Sequence, residues 1–103
     1  MSAKRKQPED RIEEILICAT EISREKDYRC LNRNVISKRL GISRGLVNTY
    51  FGNIEGLQYK VIERALENND QAVLVQPVLD KLKQVAHLSL PEKRKILLSA
   101  LKS

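Results

Sequence analysis

From Glu9 onward, apolar residues recur at helical spacing. Ile12, Ile15, Leu16, Ala19 and Ile22 fall three and four apart, which places them on one face of a first helix. Glu9, Asp10, Glu13 and Glu14 crowd its first turns, where the positive end of the helix dipole favours carboxylates. Asp27 is expected to stop it, in the left-handed backbone of a C-cap. Asn32 is a good N-cap for a second helix over Arg33–Leu40, with Val35, Ile36 and Leu40 apolar. Gly41 and Ile42 follow, and Ser43 is the expected N-cap of a third helix from Arg44 to about Phe51. Gly52 and Asn53 break it, and Asn53 caps a fourth helix carrying Ile54, Leu57, Val61, Ile62, Ala65 and Leu66, which fades at Asn68–Asp70. Pro77 discourages helical backbone at Val75 and Gln76. A fifth helix is therefore placed at about Gln76–Leu88, with a start near Asp70 and a kink as the alternative. Ser89-Leu90-Pro91-Glu92 has the spacing of a capping box and opens a sixth helix to about Lys102. No segment alternates with period two over a useful length, so the expected class is all-α without a sheet.

Composition narrows the possibilities. A chain of 103 residues with 42% apolar residues allows one small domain. Its 19 Lys and Arg against 13 Asp and Glu leave a charge of +6, which suggests an anionic partner. The sole histidine is His87, and the two cysteines, Cys18 and Cys30, form no C-x-x-C pair. A structural zinc site, a nucleophile with its base and a Gly-rich phosphate loop are all absent from the pattern. The expectation is no enzyme, no metal and no cofactor. Both cysteines read as small buried hydrophobes. No apolar stretch approaches the roughly 20 residues that span a bilayer, and no apolar region follows the basic start as in a secretory signal. A cytoplasmic, nucleoid-associated protein without a membrane partner is expected.

The informative stretch is Arg33–Tyr50. Two helices crossing closely need a turn residue that accepts positive φ, which Gly41 supplies. They need a small residue at the crossing, Ser37, and apolar ties into a core, namely Ile36, Leu40, Ile42 and Val47. These demands agree in register with a helix-turn-helix. From Tyr28 through Ile54 there are five basic residues (Arg29, Arg33, Lys38, Arg39 and Arg44) and no acid, as suits a surface facing phosphates.

Residues 12 to about 62 resemble the N-terminal DNA-binding domain of the TetR family. The resemblance is carried by Ile15-Leu16 and Ala19, by Asp27-Tyr28, and by Ile36-Ser37-Lys38-Arg39-Leu40-Gly41-Ile42-Ser43-Arg44-Gly45. Tyr50-Phe51, the polar break at Gly52-Asn53 and Glu55-Gly56-Leu57 complete it. The chain differs from the family pattern with Asn32 for threonine, Asn48 for tyrosine and Ile54 for lysine. The resemblance implies an all-α, homeodomain-like three-helix unit whose third helix reads the major groove. It also implies a transcriptional regulator of double-stranded DNA.

A recognition helix turns its N-terminal residues to base edges. That nominates Arg44 for guanine and Asn48 for adenine, with Gly45 allowing close backbone approach. Leu46 meets a thymine methyl or turns to the core, and Asn34 reaches a base edge from the second helix. Asn32, Arg33, Lys38, Ser43, Thr49 and Tyr50 are the phosphate-binding candidates, with Tyr50 alternatively a core aromatic and Lys38 plain surface. Residues 1–8 read as a basic arm whose Lys4, Arg5 and Lys6 enter a minor groove or serve as a solubilising tail. Residues 9–53 form the DNA-binding unit, and 54–103 a linking helix followed by helices for dimerisation. Leu79, Leu82, Val85, Leu88, Leu97, Leu98 and Leu101 are the expected homodimer contacts. Two short helices cannot enclose a pocket of roughly 300 Å³ for a drug-sized molecule, so no small-molecule ligand is expected. The reading is a dimeric repressor on a palindromic operator. The alternatives are a DNA-binding accessory factor (nucleoid, partition or recruitment protein) and a protein-interaction module.

Overall fold

The acid-rich start and the apolar stripe beyond it build the first helix, α1 (Pro8–Glu25), which buries Ile15, Cys18, Ala19 and Ile22. The computed structural model describes residues 8–101, and all its regular elements are helical. After α1 come α2 (Arg33–Leu40), α3 (Arg44–Phe51), α4 (Ile54–Asn68), α5 (Gln71–Leu79) and α6 (Leu90–Leu101). Short 3₁₀ turns at Tyr28–Cys30 and Lys83–Val85 complete the chain. Lys4, Arg5 and Lys6 of the basic arm lie outside the described residues.

The termini follow local chemistry. Asn32 Oδ1 accepts from Val35 N at 2.9 Å to open α2, and Asn53 Oδ1 accepts from Gly56 N at 2.8 Å to open α4. Gly41 closes α2 at φ 67°, where its amide and that of Ile42 both reach the Ser37 carbonyl. The Ser89–Glu92 box forms reciprocally, with Ser89 N to Glu92 Oε1 at 3.1 Å and Glu92 N to Ser89 Oγ at 3.3 Å.

Four expectations change. Asp27 is extended, at φ −168°, and caps the following 3₁₀ turn by accepting from Arg29 N at 2.7 Å. Its carboxylate is thus used forward along the chain and not to close α1. Ser43 holds the N-cap position of α3 but makes no capping hydrogen bond. Cys30 is exposed, whereas Cys18 is buried and its burial pushes the thiol up. The largest change is at Pro77, which lies inside α5. The proline removes one helical hydrogen bond, but Val73, Leu74, Pro77 and Val78 are all buried, and that burial holds Val75 and Gln76 helical. The helix then stops nine residues before Leu88. Lys81 turns left-handed, Leu82 N reaches the Pro77 carbonyl and Lys81 N the Val78 carbonyl, each at 3.1 Å. This reversal brings Val85 into the core at 1% exposure, where a continuous helix would have carried it away.

One core joins all six helices. Ile36 of α2 and Val47 of α3 meet the α1 residues, together with Leu57, Val61, Ile62 and Ala65 of α4. Val73, Leu74 and Val78 of α5, Val85 of the Lys83–Val85 turn, and Ile96 of α6 extend it. Arg64 of α4 pairs with Glu13 of α1 at 2.7 Å, and Arg24 of α1 pairs with Asp70 before α5. Ser23 is buried at 1% exposure with its hydroxyl lacking a hydrogen-bond partner. An unpaired buried hydroxyl keeps its desolvation cost. Ser23→Ala is therefore expected to raise unfolding free energy by about 1 kcal/mol. A denaturant midpoint that falls would refute this.

Tyr28 ties the segment before α2 to the end of α5. Its hydroxyl donates to Asp80 Oδ2 at 2.6 Å, and its carbonyl accepts from Gln58 Nε2 at 3.2 Å. Burial first, then the hydrogen bond to Asp80 and its charge, push the phenol up to about 12. The native state therefore favours the neutral phenol. This contribution is complete below the ordinary phenol value of about 10 and is lost as pH rises through about 12. The stability difference between wild type and Tyr28→Phe should shrink across that interval. A difference independent of pH would remove Tyr28 from this role.

Candidate nucleic-acid interface

Helices α2 and α3 are each eight residues long and joined through Gly41, Ile42 and Ser43. Ile36 and Val47 fasten them to the core at 0% exposure. Their outer sides bound an open groove of about 870 Å³, lined by Arg33, Asn34, Ser37, Lys38, Ile42, Ser43, Arg44 and Gly45. The lining holds three cations and no acid.

Five of the expected DNA contacts meet here: Asn34, Arg33 and Lys38 from α2, Arg44 and Gly45 from α3, with Ser43 between the helices as a sixth. Arg44 Nη1 donates to Asn34 Oδ1 at 3.2 Å, which holds the guanidinium across the groove and leaves its other N–H groups open. Ser43 is exposed and makes no side-chain cap, so the Arg44 and Gly45 amides at the start of α3 keep their donors for an anion, whereas Leu46 N already donates to the Ser43 carbonyl at 3.2 Å. Gly45 has open space where a Cβ would stand, the nearest atom being Ser43 Oγ at 4.0 Å. Nothing inside the chain requires glycine there.

Other expected contacts stand differently. Asn32 is exposed, but its carbonyl oxygen is spent on Val35 N, leaving the amide NH₂. Thr49 directs its hydroxyl proton to the Gly45 carbonyl at 2.8 Å, so it cannot donate outward in this rotamer. Tyr50 is half-buried and packs against the core. Leu46 and Asn48 are half-buried outside the groove lining. Ser37 and Ile42, read from the sequence as packing residues, also face the groove.

The basic window divides. Arg39 reaches back to Glu25 at 3.0 Å, and Arg29 to Asp27 at 3.2 Å. Each arginine's hydrogen bond holds its partner carboxyl below the ordinary value. Glu25 and Asp27 precede the acid-free run, so the run alone does not reveal these pairs. Arg33 and Lys38 are exposed and have no acidic partner among the described residues. Net positive charge thus gathers on the groove and not over the whole window.

Of the leucine-rich C-terminal positions, Leu79, Leu98 and Leu101 are exposed, Leu82, Leu88 and Leu97 pack partly against the core, and Val85 lies within it. Val85 is therefore spent on the chain's own interior. Among the described residues there is no cluster of His, Cys, Asp and Glu fit to hold a metal, and no helix long and apolar enough to cross a membrane. Comparison with known proteins finds no match to any family model, curated protein or solved structure.

Proposed function

We propose that this chain is a sequence-specific DNA-binding transcriptional regulator, with α2 and α3 acting as a helix-turn-helix of the TetR type. The observation that carries the reading is the convergence of Arg33, Lys38 and Arg44 on one acid-free groove, with Gly45 at its edge. In this reading the start of α3 enters the major groove. Arg44 takes guanine O6 and N7, while Arg33, Lys38 and the Arg44 and Gly45 amides at the start of α3 hold flanking phosphates. Gly45 lets the α3 backbone approach the base edges. Two copies, paired through Leu79, Leu98 and Leu101, would present two such helices about 34 Å apart to a palindromic site. Occupancy of a promoter by that pair is repression in its simplest form.

The test is binding to a sequence selected from random DNA, measured across salt concentrations. Arg33 and Lys38, the two phosphate-facing cations of each copy, predict log affinity falling with log salt at a slope of about −2 per copy, or about −4 for the pair. A flat response would end the proposal. Gly45→Ala gives an independent check. Alanine favours the helix, so the fold should gain about 0.5–1 kcal/mol. The added methyl should weaken DNA binding in the same protein. A variant both more stable and equally tight would place Gly45 away from DNA.

A further inference from the structure

A second groove, of about 470 Å³, lies between the end of α5 and α6. Val78, Leu82, Val85 and Leu97 give it an apolar lining, and Leu90 stands in it 75% exposed. Lys81, Lys93 and Arg94 also line it, with no acid. These three cations have no acidic partner among the described residues. Along α6, Leu90, Lys93, Arg94 and Leu97 follow at spacings of three and four and share one face, while Ile96 turns to the core. The face therefore alternates leucine with fixed positive charge.

Apolar lining and cationic flanks specify a complementary partner. A second copy set face to face here would bring three cations against three, with no carboxylate between them. Like charges in an apolar seam oppose that pairing. We propose that the groove binds an acidic amphipathic helix of a partner protein. Apolar side chains on one face of that helix fill the groove, and its flanking carboxylates meet Lys81, Lys93 and Arg94. The site shares no residue with the Arg33–Arg44 groove, so it stands whether or not that groove binds DNA.

The experiment titrates the intact chain into two labelled helical peptides followed by fluorescence anisotropy. Both carry leucines at i, i+3 and i+7; one is flanked by glutamates and the other by lysines. The glutamate peptide is expected to bind and the lysine peptide not. Lys93→Glu together with Arg94→Glu should weaken the glutamate peptide about tenfold or more, since each exposed pair contributes up to about a factor of five. Leu90→Ser should weaken it as well, with an unchanged circular dichroism spectrum. Equal binding of the two peptides, or indifference to the double charge reversal, overturns the proposal. Sedimentation equilibrium supplies the remaining arm. A wild-type dimer that Leu90→Ser dissociates assigns the groove to a second copy and overturns the proposal, whereas the same assembly state in both proteins supports it.

Discussion

Arg44→Ala is expected to weaken binding to the selected operator by about 1–3 kcal/mol, with the loss confined to one base position and specificity relaxed there. A large effect is expected because the proposed bidentate contact to guanine would be lost, and because the guanidinium is already held across the groove by Asn34. Preorganisation means that little side-chain freedom is surrendered on binding. Arg33→Ala and Lys38→Ala should behave otherwise, with a similar loss on every sequence and a salt slope shallower by about 1 for each copy bound. Arg39→Ala is the discriminating control. It comes from the same basic run, yet its guanidinium is engaged by Glu25. Its removal should leave DNA affinity unchanged and stability little altered, as for an exposed, solvent-screened ion pair. If Arg44→Ala weakened all sequences equally, Arg44 would hold a phosphate and not read a base.

Gly56→Ala is expected to destabilise the fold by about 1–3 kcal/mol, enough to lower the melting temperature by several degrees in a domain of this size. A Cβ at Gly56 would meet the carbonyl oxygen of Phe51, and Asn53 Oδ1 at 3.4 Å lies beside it. The obstacle is backbone, so it cannot swing aside as a flexible side chain would. The end of α3 must move away from the first turn of α4, and the Asn53 cap on Gly56 N must stretch. Because α3 carries Arg44 and Gly45, that shift should also reduce DNA affinity. Gly45→Ala supplies the contrast: the same substitution eleven positions earlier meets open space and should stabilise. A melting temperature unchanged by Gly56→Ala would show that the α3–α4 junction is looser than its geometry.

Much of the helix map is legible from the residues. Asn32, Gly41 and Asn53 mark boundaries because each acts within a few residues, through its own side chain or its tolerance of positive φ. The Ser89–Glu92 box is equally local. Where the reading differs, the competing influence comes from elsewhere in the chain. Pro77 remains helical because Val73, Leu74 and Val78 share its burial, and Val85 escapes a continuous helix because the chain reverses at Lys81. The candidate site divides in the same way. The acid-free run marks the region of the groove, but Arg29 and Arg39 leave it through acids that precede the run.

Local residue patterns suffice for the all-helical class, most helix ends, the meeting of α2 and α3 around Gly41, and the basic character of that region. Those properties depend on periodicity, capping and positive φ, which act over a few residues. Only the folded arrangement shows which cations remain unpaired, that Gly45 is free of internal contact while Gly56 is not, and that Lys81, Lys93 and Arg94 surround one apolar groove. Each of these depends on groups distant in sequence becoming neighbours. Charge pairing and steric room are set by distance in space, and one-dimensional spacing does not encode it.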